Sequence, residues 1–281
     1  MGLIGAHVST AGGAVRAFER GAAMQCESLQ IFVKSPNQWR AKPLSAEDAD
    51  AFRAEHATSG VPVTAHAAYL INLASPKEEA LAASVVGLAD ELDRCDALGL
   101  GGLVVHPGGH LGSGVATGID TIAKSINSIL AVRQPGSTLL LLENTAGQGT
   151  SLGGRFEELG AMLKLIDDKK RVGVCLDTCH AYSSGYDLVT PEGYEEMLED
   201  FDREIGLSNL HCMHINDSKH PLGSRKDRHE NIGDGLIGEQ AFARLLNDKR
   251  LAHLPMILET PMGDDDLGHA RDLDKLRSLR A

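Results

Sequence analysis

Residues 138–143 read TLLLLE: a threonine, four leucines and a glutamate. A run that long with no polar alternation suits a strand buried on both faces, as in a parallel sheet. A second such run, PMILE at 255–259, also closes on a glutamate. Around these two the chain alternates. Strand-length apolar runs fall at Leu3–Val8, Ser28–Val33, Val61–His66, Gly102–His106, Thr138–Leu142, Val172–Asp177, Leu210–Ile215 and Pro255–Glu259. Helical patterns follow them, near Gly12–Met24, Ala46–Thr58, Lys77–Leu98, up to Val132, Phe156–Ile166, Pro191–Glu204, Gly238–Asn247 and Asp265–Leu279. Eight strands, each followed by a helix, predict one α/β domain over residues 1–281, a single (β/α)8 TIM barrel. A doubly wound open sheet would carry a glycine-rich phosphate turn after its first strand, and AHVSTAGG is not GxGxxG.

Composition narrows the class. Hydrophobic residues make up 42% and charged residues 23%, ordinary for a globular chain, and with 4% aromatics the core must be aliphatic. The net charge of -12 argues against a general electrostatic grip on nucleic acid, though bound cations or a local basic strip would reverse that where it matters. Five cysteines without framework spacing read as free thiols in a reducing compartment. Cys175 and Cys179 are expected to be small buried residues rather than ligands. MGLIGAHVS lacks the layout of a signal peptide. No apolar run reaches the ~20 residues that cross a bilayer. The expectation is a soluble cytoplasmic protein.

The polar residues are placed with a pattern. His66 ends the third strand, His106 the fourth, Glu143 the fifth, Asp177 the sixth, His214 lies at the end of the seventh and Glu259 ends the eighth. His180 follows Asp177 by three residues. After the seventh strand comes KDRHENIGDG, in which Asp227 and His229 share one face of an extended segment and Gly233 and Gly235 allow a tight turn behind them. Barrel active sites lie at the C-terminal ends of the strands, so all nine side chains are delivered to one rim. Any one of them reads as a hydrogen-bonded strand end; nine together read as a metal centre. His110, His211, His220, His253 and His269 are expected to be bystanders. Histidine and carboxylate in place of thiolate point to catalytic zinc. Nine ligands at ~3 per ion, with one carboxylate shared, make room for three ions. Two ions bridged by a carboxylate can clamp both the attacking and the leaving oxygen of a phosphate, the chemistry of phosphodiester hydrolysis.

Taken as blocks, IGAHVSTAGG, WRA, HAAYLINLASP, LVVHPG, LLLENTAGQG, GVCLDTCHAYSSGYD, MHINDSK, DRHENIGDGLIG and ILETP cover nearly the whole chain. In this order they resemble the endonuclease IV family of zinc-dependent apurinic/apyrimidinic (AP) endonucleases. The resemblance implies three zinc ions: His66 and His106 on the first, Glu143 bridging to the second, Asp177, His214 and Glu259 completing the second, and His180, Asp227 and His229 on the third. Manganese and iron fit the same donors. It implies hydrolysis of the phosphodiester 5′ to an abasic site in double-stranded DNA, leaving a 3′-hydroxyl and a 5′-deoxyribose phosphate, in base excision repair, with trimming of blocked 3′ ends. Glu143 and Glu259 would then serve the attacking water, and Asp227 and His229 the leaving oxygen.

The same resemblance gives DNA contacts to Gln38, Trp39 and Arg40 in SPNQWR and to Tyr69 and Leu70 in HAAYLIN, which would fill the gap left by a flipped abasic nucleotide. Asn37 stands where members of the family often carry arginine. A monomer is implied. Sugar isomerases and epimerases of similar barrel type are the alternative, favoured by the acidic charge. They hold two divalent metals, and DRHENIGDG supplies ligands for a third. A non-catalytic zinc barrel would have had no need to keep the ligand set intact.

Overall fold

The computed structural model describes residues 1–133 and 136–281. Its strands are β1 (Leu3–His7), β2 (Ser28–Phe32), β3 (Val63–His66), β4 (Gly102–Val105), β5 (Leu139–Glu143), β6 (Val172–Asp177), β7 (Leu210–His214), β8 (Asp217–Ser218), β9 (His229–Glu230) and β10 (Pro255–Leu258). Its helices are α1 (Arg16–Ala23), α2 (Ala46–Ser59), α3 (Glu78–Leu98), α4 (Val115–Val132), α5 (Phe156–Leu165), α6 (Thr178–Ser184), α7 (Pro191–Glu204), α8 (Glu239–Asn247) and α9 (Gly268–Ser278). Eight strands close a barrel in the order β1-β10-β7-β6-β5-β4-β3-β2, and β8 and β9 form a separate antiparallel pair. The barrel pairings are parallel throughout. The expected barrel is therefore the observed one.

Local chemistry sets the ends of the elements. The first helix starts at Arg16 rather than near Gly12, because Gly12 and Gly13 take φ values of +86° and +119° that a helix cannot use. Ser45 caps α2 by accepting from the Asp48 N–H, and Gly60 ends it in the left-handed conformation. Thr190 caps α7, with Pro191 at its first position.

Along each strand, side chains alternate between the helix-facing surface and the barrel interior. Val174, Leu176, Leu140, Leu142, Leu103 and Val105 join the large core that packs under the helices. The interior has its own small apolar cluster of Val104, Leu141, Cys175, Cys212 and Ile257, all fully buried or within 1% of it. The register slips by one residue where β6 meets β7: Val174 pairs with Leu210, but Cys175 pairs with Cys212. His211 is the extra residue, and Gly173 makes room for it, since a Cβ there would come within 2.3 Å of the imidazole. The slip leaves Leu210 on the outer surface while Cys212 joins Cys175 inside.

Candidate metal centre

Two residues beyond that interior cluster, on the same five strands and the same face, stand His106, Glu143, Asp177, His214 and Glu259. Glu143, Asp177 and His214 are the last residues of β5, β6 and β7, whereas His106 and Glu259 lie one residue past β4 and β10. His66 ends β3. Three groups of ligand atoms, each within 4.8 Å of one another, result: His66, His106 and Glu143; Glu143, Asp177, His214 and Glu259; His180, Asp227 and His229. Glu143 belongs to two of them. All nine rim residues singled out from the sequence are thus brought together.

Glu143 is the hub. Its Oε2 lies 3.1 Å from both His66 Nε2 and His106 Nε2, and its Oε1 lies 3.0 Å from His214 Nδ1 and 3.2 Å from His180 Nδ1. His214 Nδ1 is also 3.2 Å from Glu259 Oε2. In the third group, Asp227 Oδ1 is 3.2 Å from His180 Nε2 and 3.6 Å from His229 Nε2. His229 Nε2 is 3.5 Å from Asp177 Oδ2, so the groups adjoin.

The free nitrogen of each ring follows from the partner on its other side. Carbonyl oxygens only accept, so His66 Nδ1 donates to Ala67 at 2.7 Å, His180 Nδ1 to Asn144 at 2.9 Å and His229 Nδ1 to Glu259 at 3.1 Å. The opposite nitrogens then aim lone pairs at carboxylates. His180 Nε2 and His229 Nε2 are buried without a hydrogen bond, although carboxylate oxygens stand near them. Facing acceptors at such distances call for a shared cation, a proton or a metal. Protons are held tightly there. Burial alone would lower the pKa of His214, but Glu259 and Glu143 outweigh it and hold it at about 10. Burial likewise opposes charge on His180, and Asp177 and Asp227 overcome it, raising its pKa well above the ordinary value. Burial would raise Asp227, yet His180 draws it down to about 2. Glu143, against burial, is held well below the usual carboxylate range by His106 and His214.

Two elements of the site lie between the strands and helices that the sequence pattern marks. The stretch after the sixth strand is helical, as α6. Asp177 caps it, its Oδ1 accepting from the His180 N–H at 2.7 Å, and this seats His180 above the strand end. The pair β8–β9 lies in the segment between β7 and α8, with Ser218 opposite His229. The buried Asp217 carboxylate winds the following turn around itself, accepting from the N–H groups of Gly233, Gly235, Ile237 and Gly238. Side chains that sequence reasoning misses surround the ligands. Asn216 donates to Asp177 Oδ2 at 2.7 Å, and its oxygen accepts the Glu259 N–H at 2.7 Å. His7 and Gln30, on the first two strands, reach Glu259. The strand-end rule that finds the others applies to His7 as well; Gln30 shows only as a polar residue inside the run SLQIF.

The cysteines are free and, apart from Cys26, buried. Thiols of Cys175 and Cys212 do come within 4.8 Å of a His214 nitrogen, and Cys179 near Asp177 and His229. Burial pushes the Cys179 thiol up to about 12, away from the thiolate a metal needs. Among the bystanders, His269 lines a rim cavity and bonds Thr260 O at 3.0 Å.

Two cavities open on the rim. One, of about 580 Å³, is lined by His66, Tyr69, Asn72, His106, Gln148 and Asp227 among others. The second, of about 400 Å³, is lined by His7, Phe32, Tyr69, His180, His229 and Glu259 among others. Tyr69 stands between them, 62% exposed, with its ring edge-on to Phe32. Leu70 is exposed beside it and lines neither cavity. Gln38, Trp39 and Arg40 lie outside both, on the exposed loop after β2, where the Trp39 ring rests against Gly87 of α3. Among the described residues, no helix is long and apolar enough to cross a membrane.

Comparison with known proteins agrees with this geometry. A family model described as xylose isomerase-like TIM barrel matches residues 18–279. A protein named probable endonuclease 4 from Chloroflexus aurantiacus is 48% identical over 280 residues, 99% of this chain and 98% of that one. One of the same name from Halorhodospira halophila is 47% identical over 277 residues, 98% and 92% of the two chains. The crystal structure of endonuclease IV from Thermus thermophilus superposes with a TM-score of 0.85 at 39% identity, covering 98% of each chain. A D-tagatose 3-epimerase-like protein, with a TM-score of 0.74 at 21% identity, shares the fold alone. With a barrel that carries its acidic and histidine side chains on one rim, and relatives matched end to end, this chain belongs to the endonuclease IV family of AP endonucleases.

Proposed function

We propose that the chain hydrolyses the phosphodiester 5′ to abasic sites in double-stranded DNA, as a single-domain monomer with three zinc ions. The observation that carries this reading is the convergence of nine side chains into three groups that share Glu143. The donor set fits divalent metals: it is histidine and carboxylate throughout, and buried ring nitrogens of His180 and His229 lack hydrogen bonds. His66, His106 and Glu143 would hold one ion, Glu143, Asp177, His214 and Glu259 a second, and His180, Asp227 and His229 a third. Metals so held supply positive charge against the phosphate and lower the pKa of a water.

The chain's own residues set the rest. Glu143 and Glu259 are the carboxylates nearest His214, the one ring of the second group, and would orient the attacking water. Asp227 and His229, on the segment around β9, would serve the leaving oxygen. Tyr69 and Leu70, both exposed, would serve as the wedge that enters the duplex, and the flipped nucleotide loses no stacking because it has no base. Trp39, braced on Gly87, would hold Gln38 and Arg40 toward the same groove. Trimming of blocked 3′ ends uses the same phosphodiester chemistry, and such work belongs in the compartment that holds chromosomal DNA, the bacterial-type cytoplasm. A sugar isomerase reading accounts for the first two groups but leaves His180, Asp227 and His229 without a purpose.

The test is incision of a duplex carrying one abasic-site analogue, with metal content measured on the same sample. Cleavage 5′ to the analogue with about three metals per chain is expected. Metal binding without incision overturns the nuclease reading in favour of the sugar enzyme.

A further inference from the structure

Gln30 lies in the middle of β2 with none of its surface exposed. A buried primary amide is costly unless its donors and acceptor are paired. Here they are paired to the candidate ligands. Nε2 donates to Glu259 Oε1 at 2.6 Å and lies 3.1 Å from His7 Nδ1. Oε1 faces His214 Nε2 at 2.9 Å, with the Thr64 hydroxyl at 3.4 Å. The partners settle which way the amide points: turned round, its oxygen would stand 2.6 Å from a carboxylate oxygen. Since Oε1 therefore faces the ring, His214 donates through Nε2, and Nδ1 is the nitrogen left toward Glu143 and Glu259. With Glu259 Oε1 engaged by Gln30, Oε2 is the oxygen that faces His214.

We infer that Gln30 is a positioning residue that clamps His214 and Glu259 in a single ligating arrangement and so sets how firmly the Glu143–Asp177–His214–Glu259 group holds its metal. The inference rests on the metal reading of that group. It divides the barrel's rim in two. Strands β3 to β7 and β10 bring ligands to the centre, whereas β1 and β2 bring His7 and Gln30, which orient ligands from the far side of the closure. Partners of this kind around a metal site change affinity by about 10- to 100-fold when removed.

Gln30→Met keeps the side chain's length and removes both hydrogen bonds. Zinc-loaded wild-type and variant proteins are titrated with EDTA and the released metal is counted. One of the bound ions should be lost to the chelator at about 10- to 100-fold lower concentration in the variant, the others unchanged. Nitrogen-15 spectra of labelled histidine give a readout that general loosening would not produce. The Nε2–H resonance of His214, shifted downfield by its bond to Gln30, should move upfield, and those of the other rings should stay. Gln30→Asn, an amide too short to reach both partners, serves if the methionine variant does not fold and should show the same loss. Thr64→Val, which removes the 3.4 Å contacts of the hydroxyl with Gln30 Oε1 and Leu29 O but leaves the bonds of Gln30 to His214 and Glu259, should leave retention unchanged. Wild-type retention of every ion in Gln30→Met or Gln30→Asn overturns the clamp alone. Wild-type protein that holds no zinc overturns the metal reading and the clamp with it.

Discussion

Two rings of side chains lie two residues apart inside the same barrel, and they could hardly differ more. The lower ring is Val104, Leu141, Cys175, Cys212 and Ile257. The upper ring, reached by moving two residues along each of those strands, is His106, Glu143, Asp177, His214 and Glu259. Strand, direction and neighbour are held constant, so depth is what changes. The lower ring is closed off from solvent, and apolar groups and thiols fill it. The upper ring meets the mouth of the barrel, where carboxylates and imidazoles can be balanced by cations. The boundary is sharp because side chains alternate with a period of two, and one step takes each strand from packing to chemistry.

Removing the cations should expose the contrast most strongly. Chelated protein is expected to lose incision altogether and to take up protons as the ions leave, since His214 then titrates near 10 and His180 well above its usual value. Calorimetry in buffers of different ionisation heat measures that uptake. The sign for stability follows. His214 is raised from 6.5 to about 10 in the fold, so its contribution is full below pH 6.5 and disappears as pH climbs through about 10. Glu143 is depressed, so its contribution is full above the ordinary carboxylate value of 4.5 and lost on acidification through its lower folded pKa. Metal-free protein should therefore melt at lower temperature at pH 9 than at pH 6, and a flat profile would contradict the arrangement of facing acceptors.

Glu143→Gln keeps the volume of the upper ring's hub but presents an amide where two histidine lone pairs converge. Incision should fall by about 10²- to 10³-fold or more, with the fold intact by circular dichroism; near-normal turnover would refute the hub. In the lower ring, Leu141→Ala should cost about 2–5 kcal/mol in urea unfolding while the metal count stays the same. One layer outward, Tyr69→Ala and Leu70→Ala should each weaken binding to abasic duplex by about 1–3 kcal/mol, again with metal content unchanged. The smallest effect belongs to the buried thiols: Cys175→Ala or Cys212→Ala should cost about 1 kcal/mol of stability. Loss of a metal on either change would transfer those cysteines from the packing ring to the ligand ring.

Much of the fold and of the candidate site is legible in the sequence. Leucine runs that end in a glutamate announce both the parallel barrel and the rim, and the nine ligand candidates follow from strand ends and from the one loop motif. Gln30 is not legible, because its meaning lies in Glu259, 229 residues away, whose carboxylate turns the amide oxygen toward His214. α6 escapes notice because DTCH serves two purposes at once: Asp177 reads as a ligand, and only the hydrogen bond to the His180 N–H reveals it as a helix cap. β8 and β9 are two residues each, too short for any periodicity, and hold their shape through the Asp217 carboxylate. The packing of Trp39 on Gly87 is not legible either, because it joins the loop after β2 to a helix that begins about forty residues further along the chain.

The single-residue slip at His211 decides the parity of the seventh strand. A regular strand through the same residues would put Leu210 and His214 on one face, and so turn His214 toward the helices. By absorbing His211, the bulge sets Leu210 outside and His214 inside. One ligand of the rim thus owes its direction to a local break in pairing, at an exposed histidine that touches none of the chemistry itself.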